Sequence, residues 1–351
     1  MINRKEFLKL MGSLAGVAFI PDFGFAGTKR PLLVDGLFDL HCHPAAFFRK
    51  GTDTYTGDVA FRKSIESMNS TRVYGVFLSI VSDLPVLKIN EGGKITTRKF
   101  NAGEAWGEYQ RQLSILKELI GSAGSKITAA REDLRTGGNV KLFLACEGAD
   151  FIEGEIDHIN MAYEDGVRSI QLVHYAPNNV GDLQTSDPIN SGLSPYGKQI
   201  VQRMDELGMV IDLAHATFKT CQDVAEITSS PLVVSHSILL TGSERPISAR
   251  AISLDHAKLI AQTGGVIGAW PSGFSSDMDD FTVNTLRLVD AVGIDHVGLG
   301  TDMDANYLPV IADYLDVEKW TDALSAKGLS SEEIQKLVGG NGRRVLRKVL
   351  K

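Results

Sequence analysis

The chain has 351 residues, with 36 Lys plus Arg against 43 Asp plus Glu, a formal net charge of −7, 43% apolar residues and three Cys. Interspersed charges with an acidic balance leave no basic face for a phosphate backbone, which excludes the usual nucleic-acid binder. Three well-separated Cys without C-x-x-C spacing exclude a disulfide framework and a cysteine-based zinc or redox motif, and read as small buried apolar residues.

Residues 1–27 differ from the rest and are expected to be a signal peptide. Arg4, Lys5 and Lys9 precede an apolar stretch from Leu10 to Ile20, and Phe25-Ala26-Gly27 offers small residues for cleavage. That stretch is shorter than the roughly 20 residues of a permanent span, so no stable membrane span is expected. Asn3-Arg4-Lys5-Glu6-Phe7-Leu8-Lys9 resembles a twin-arginine export signal with Lys5 in place of the second arginine, and no Cys is present for a lipid anchor. Export to a bacterial periplasm is the expectation. The alternative is a buried or disordered N-terminal helix.

From Leu33 onward, short apolar runs alternate with longer amphipathic stretches. The runs predicted as strands are Leu37–Leu40, Val73–Ile80, Lys141–Cys146, Arg168–Val173, Met209–Leu213, Pro231–Ser235, Gly265–Ala269 and Val297–Gly300. They are apolar at nearly every position, as parallel strands covered by helices should be. Helical spacing occupies Glu104–Ile120, Glu153–Glu164, Tyr196–Leu207, Lys219–Ile227 and His256–Gln262. The α/β pattern predicts a TIM-type (β/α)8 barrel, so residues 28–351 form one domain. A doubly wound sheet is the runner-up, but no Gly-rich phosphate turn follows an early strand. An insertion at about 83–139 is expected to form a loop or lid beside the mouth, then the helix near Glu104 and another around Ser125–Leu134. After strand eight, Leu315–Lys327 and Ser331–Leu337 read as helices. Gly339-Gly340 is expected to break the chain before a basic helix, Arg343–Lys351, whose charges face solvent.

Barrel enzymes place reactive groups at the C-terminal strand ends. Strand one ends in Asp39-Leu40-His41-Cys42-His43, strand three in Cys146-Glu147-Gly148, and strand four in Val173-His174-Tyr175. Strand five ends in Asp212-Leu213-Ala214-His215, strand six in Ser235-His236-Ser237, and strand eight in Gly300-Thr301-Asp302. Any one of these has a structural explanation, but six at one mouth point to a site. His158, His256 and His296 lie elsewhere and read as structural. His41 and His43 are two apart on a strand, so both face one side and Cys42 the other. That suits two imidazoles on one metal, and a bridging carboxylate lets two divalent ions sit about 3.5–4 Å apart. No Gly-x-Ser-x-Gly elbow is present, which disfavours covalent nucleophilic catalysis.

The stretches Phe38–Pro44, Leu144–Gly148, Gln171–Tyr175, Gly192–Thr217, Pro231–Ser237 and His296–Asp304 together resemble the membrane (renal) dipeptidase family, the M19 peptidases. The resemblance implies dipeptide hydrolysis by a metal-bound hydroxide, with two divalent metal ions, Zn2+ first among the candidates. It implies that His41 and position 43 bind the first ion, that His215 and His236 bind the second, and that Glu147 bridges them. It further implies that His174 contacts the substrate carbonyl and stabilises the oxyanion, and that Asp302 handles the proton of the attacking water. An arginine after strand six would hold the substrate carboxylate, with Arg250 the better fit and Arg245 the alternative. The implied partner is a small dipeptide, and a homodimer is compatible with the sequence.

One position departs from the family. Members normally carry His-x-Asp on strand one, whereas this chain has His41-Cys42-His43, as in the wider amidohydrolase superfamily. A neutral ligand replaces an anionic one, which leaves more residual positive charge on the ions and predicts a weaker first site or a more acidic bound water. The alternatives to a dipeptidase are therefore an amidohydrolase acting on another small or cyclic amide, and a non-catalytic metal-bound binding protein.

Overall fold

A computed structural model describes residues 36–351 apart from 90–94, 135–137 and 243, so the signal-peptide expectation for residues 1–27 lies outside the described residues. Eight parallel strands close into a barrel: β1 Phe38–Cys42, β2 Gly75–Val81, β3 Lys141–Glu147, β4 Val167–Gln171, β5 Val210–Asp212, β6 Val233–Ser237, β7 Val266–Ala269 and β8 Val297–Leu299. Around the barrel they run β1-β8-β7-β6-β5-β4-β3-β2, so each strand neighbours the one before it in sequence and β1 closes on β8. Every strand residue is buried, because side chains on one face fill the barrel and those on the other meet the helices. The predicted strands are all present within a few residues. Two helices that the sequence reading did not name, Asp58–Ser70 and Met278–Val292, complete the outer layer.

The lower barrel is filled by aromatic and branched side chains. Phe38 meets Phe77 edge-on at 5.6 Å and Phe77 meets Phe143 at 5.6 Å, with Val210, Val233 and Val266 in the same cluster. Above this layer β1 changes sides. Phe38 and Leu40 belong to the interior cluster, yet Cys42 joins the outer one, and the β1–β2 register shifts between Asp39 and Cys42. Such an irregularity re-aims side chains, and here it turns His41 and His43 into the mouth.

Three expectations are corrected. Residues 125–134 are not a helix: Ile127 bridges Leu142, Thr128 N–H donates to the Leu142 carbonyl at 2.7 Å, and only Arg131–Leu134 forms a 3-10 turn. The β-branched Ile-Thr pair extends the chain along the sheet instead. Gly339-Gly340 does not break the chain either. Residues 336–340 form a π turn that runs straight from the helix Ser331–Gln335 into the helix Asn341–Val349. A Cβ on Gly339 would lie 2.2 Å from the Gly36 carbonyl oxygen, so glycine permits a close approach to β1. The final helix also does more than face solvent. Its Val345, Leu346 and Val349 pack into the lower-barrel cluster, and Arg344 donates to the carbonyls of Gly264 at 2.6 Å and Asp295 at 2.8 Å. Arg347 and Lys348 remain exposed. Within the insertion, Leu87–Ile89 pairs antiparallel with Ile95–Thr97, ahead of the helix Glu104–Ser122.

Candidate metal centre

Two imidazole pairs face one carboxylate at the mouth of the barrel. At the end of β1 and just beyond it, His41 Nε2 and His43 Nε2 are 3.1 Å apart. The pair is oriented by β2, where Ser79 Oγ lies 3.2 Å from His41 Nδ1 and the Ser79 carbonyl accepts from His43 Nδ1 at 2.9 Å. A carbonyl only accepts, so His43 carries a hydrogen on Nδ1 and aims Nε2 at the site. The second pair comes from His215 beyond β5 and His236 on β6, whose Nε2 atoms are 3.2 Å apart.

Glu147, the last residue of β3, stands between the pairs. Its Oε1 is 3.3 Å from His41 Nε2, 3.4 Å from His215 Nε2 and 3.8 Å from His236 Nε2, and its Oε2 is 3.3 Å from His43 Nε2. His174 Nε2 lies 3.4 Å from the same Oε1. Asp302 approaches from beyond β8, with Oδ1 3.4 Å from His43 Nε2 and 4.0 Å from His41 Nε2. All of these side chains are buried. His215 and Asp302 hold φ values of 67° and 52°, a left-handed conformation that costs a non-glycine residue energy and clusters at functional sites.

The electrostatics ask for a cation. Burial favours the neutral form of Glu147, but the His174 and His41 charges and hydrogen bonds from His215 and His41 outweigh it and hold the carboxyl well below its usual range. Burial keeps His215 and His236 neutral by pushing both imidazoles well below their usual range, so each ring retains one unprotonated nitrogen. His43 goes the other way. Burial opposes its charge, but hydrogen bonds to Asp302 and Glu147 raise it to about 10, so the surrounding carboxylates draw positive charge to this point. The neutral His215 and His236 beside the ionised, buried Glu147 carboxylate are a donor set for a divalent ion. The ring nitrogen of His215 on the side away from Glu147, Nδ1, has no hydrogen-bond partner among the described residues. Three groups of ligand atoms lie within 4.8 Å of one another: His41, His43 and Asp302; His41, Glu147 and His236; Glu147, His174 and His215. Asp302 and His174 are thus within ligand reach, which the sequence reading did not assign to them.

Arg250 sits beside the second pair, buried, with Nη2 3.4 Å from His236 Nε2 and Nη1 donating to Gln184 Oε1 at 2.7 Å. Its Nε–H has no partner among the described residues, a buried guanidinium with capacity left for an anion. Arg245 is not brought to the site: its Nη1 pairs with Asp280 Oδ2 at 2.5 Å and donates to the Phe274 carbonyl at 3.1 Å. His158 stacks on Trp106 at 3.8 Å, His256 meets Cys221 Sγ at 3.0 Å, and His296 meets the Gly265 carbonyl at 3.0 Å, each away from the mouth.

Sequence reading missed Asp83. Its Oδ1 accepts from His174 Nδ1 at 2.7 Å, and its Oδ2 accepts from the backbone N–H groups of Tyr175 at 3.1 Å and Ala176 at 2.9 Å. The strand-end rule reaches it, since it follows β2 by two residues, but the polar stretch that it opens reads as the start of the insertion.

Comparison with known proteins bears on this geometry. The family model for membrane dipeptidase, peptidase family M19, matches residues 29–351. Dipeptidase tcpJ of Claviceps purpurea is 30% identical over 224 residues, 60% of this chain and 52% of that protein. An uncharacterised dipeptidase of Schizosaccharomyces pombe is 29% identical over 61% of this chain and 54% of that protein, so the matches span about half the length of these curated relatives. Among solved structures, a metallopeptidase from Rhodobacter sphaeroides, liganded with a phosphinate mimic of the dipeptide L-Ala-D-Ala, gives a TM-score of 0.74 at 21% identity, over 90% of this chain and 99% of that one. At that identity the likeness shows a shared fold.

Proposed function

The chain belongs to the membrane dipeptidase family, peptidase M19, and from that premise we propose that it is a metal-dependent dipeptidase that cleaves dipeptides into amino acids. The observation that carries the proposal is Glu147 between two histidine pairs, with the buried, incompletely paired Arg250 beside one of them.

In this proposal His41 and His43 would hold one divalent ion and His215 and His236 a second, with Glu147 as the ligand they would share, and Zn2+ is the first choice for both. Bound there, the ions supply Lewis-acid activation of water and polarisation of the scissile carbonyl. Arg250 holds the substrate carboxylate, and its planar fork sets the orientation of the C-terminal residue. His174, pinned by Asp83, presents Nε2 to the developing oxyanion. Asp302 takes the proton of the attacking water and delivers it to the leaving amine. The substrate class includes dipeptides with a D-residue at the carboxyl end, since a relative of the same fold accepts a mimic of L-Ala-D-Ala. The proposal keeps residues 1–27 as an export signal to a periplasm; no helix of the described residues is long and apolar enough to cross a membrane.

His43 in place of the family's aspartate favours a second reading, an amidohydrolase acting on another small amide. Turnover of a dipeptide panel by the metal-loaded protein, with N-acetylated dipeptides alongside, separates the two. Cleavage of free dipeptides supports the dipeptidase, and cleavage confined to N-acylated compounds supports the amidohydrolase.

A further inference from the structure

Two seams of the barrel have the shortest strand ladders. Within the strands, β1 pairs with β8 only at Asp39 opposite Leu299, and β5 with β6 only at Asp212 opposite Val233. Beyond the strand ends, Cys42 bridges Met303, Asp302 N–H donates to the His41 carbonyl at 2.8 Å, His43 N–H to the Met303 carbonyl at 2.9 Å, and Leu213 N–H to the Val233 carbonyl at 2.7 Å. One seam carries His41, His43 and Asp302, and the other carries His215 and His236.

A buried carboxylate spans each seam in the same way. Asp39 Oδ1 accepts from His41 N–H on its own strand at 3.2 Å and from Thr301 N–H across the seam at 2.9 Å. Asp212 Oδ1 accepts from Ala214 N–H on its own chain segment at 3.0 Å and from Ser235 N–H across the seam at 3.0 Å. Thr301 immediately precedes Asp302, and Ser235 immediately precedes His236. Asp212 therefore ties the backbone leading to His215 to that leading to His236, and Asp39 ties His41 to the backbone leading to Asp302, the proton-handling residue beside the first pair. Asp39 adds a second tie, because its Oδ2 accepts from Thr301 Oγ1 at 2.5 Å and Tyr314 Oη at 2.9 Å.

The geometry points to Asp39 and Asp212 as positioning residues, each fixing one half of the metal centre by side-chain bonds that reinforce a seam whose strand ladder is short. The inference rests on the two-ion reading above. It makes geometry, not negative charge, the property that matters, since the working oxygen accepts two backbone N–H bonds and an amide oxygen can do the same. At Asp39 an amide NH2 would face two hydroxyls, either of which can accept.

The test titrates metal-free full-length protein with Zn2+ against a chromophoric chelator. Wild type is expected to take up two equivalents; uptake of fewer overturns the two-ion reading and this inference with it. If two bind, Asp212→Asn is expected to hold both within about threefold, and Asp212→Glu, which keeps the charge but displaces the oxygen, to weaken one ion by about 10- to 100-fold. That ion should be the one lost in His236→Ala: adding His236→Ala to the Glu variant leaves the tighter ion untouched, and adding His43→Ala removes the tighter ion and leaves the weakened one. Asp39→Asn and Asp39→Glu should show the mirror pattern. Should a Glu variant fail to fold by circular dichroism, the Ala variant at the same position replaces it. Equal loss in Asn and Glu variants, no loss in either, or simultaneous weakening of both ions overturns the inference while leaving the two-ion reading standing.

Discussion

His174 Nδ1 lies 2.7 Å from Asp83 Oδ1, while the other carboxylate oxygen is fully engaged by two backbone N–H groups. This arrangement fixes what an asparagine at position 83 would do. The amide oxygen must serve Tyr175 and Ala176, so the NH2 faces His174 and turns Nδ1 into an acceptor. The ring then stays in place with a hydrogen on Nε2 but cannot be an imidazolium. Charge-assisted hydrogen bonds are roughly twice as strong as neutral ones, so Asp83→Asn should lower kcat by about tenfold with KM within about threefold. Asp83→Ala frees the ring and should cost about 100-fold or more in kcat, the usual loss for an oxyanion donor. Steady-state kinetics on a dipeptide decide it; equal kcat in wild type and the Asn variant would show that the charge on the pair has no part in the reaction, and equal kcat in the Ala variant that its positioning has none.

Arg250→Ala should raise KM for dipeptides and lower kcat/KM by about 10- to 150-fold, the equivalent of roughly 1.5–3 kcal/mol for a hydrogen bond to a charged group. Dipeptide amides, which lack the carboxylate, should be turned over equally slowly by wild type and variant. Arg250→Lys should recover little, because an ammonium cannot reproduce the fork. Arg245→Ala should leave kcat/KM unchanged, since Arg245 is paired with Asp280 away from the site. Loss with Arg245→Ala and not with Arg250→Ala would exchange the two assignments.

Much of this site was legible because the strands are short, apolar and followed directly by titratable residues. His41, His43, Glu147, His174, His215, His236 and Asp302 were found by one rule applied at six strand ends, and the structure brings all seven together. Strand parity put His41 and His43 on one side correctly, although it could not show that an irregular β1 is needed to keep Phe38 and Leu40 inside as well. Asp39 and Asp212 stand in strand-end sequences that carry no sign of their role, because that role depends on backbone N–H groups from other strands, which no local spacing encodes, whereas Asp83 is within reach of the strand-end rule. Gly339-Gly340 misled for a similar reason. Read locally, two glycines break a helix, and their purpose here is the contact of Gly339 with the Gly36 carbonyl, distant in sequence.

His43→Asp installs the anionic residue that the family resemblance implies at this position. Its effect is expected to be a first ion held more tightly, by about tenfold, since one more negative charge faces it. The acid limb of the kcat/KM profile should move to higher pH, because the same charge leaves the ions less electron-demanding. The variant also loses the bond from His43 Nδ1 to the Ser79 carbonyl, so metal content must be measured beside the profile. Unchanged metal content and an unchanged profile would mean that the departure at position 43 has no effect on this centre.

His256 provides a pH dependence of stability remote from the metal centre. It is buried against Cys221 Sγ at 3.0 Å, and burial lowers its pKa from 6.5 to about 4. The folded protein therefore keeps this ring neutral while the unfolded chain takes up a proton at about 6.5. Between those values the unfolded state binds more protons, so stability falls as pH falls from about 6.5 to about 4 and levels off below. The contribution lost is on the order of 3 kcal/mol at about 1.36 kcal/mol per pKa unit. His256→Gln cannot titrate and should show a flatter rise of urea midpoint with pH across that window in metal-free protein. The variant starts from a lower stability at pH 7.5, since it disturbs a packed site, so the slope is the quantity to compare. A slope equal to wild type would assign the acid sensitivity to other groups.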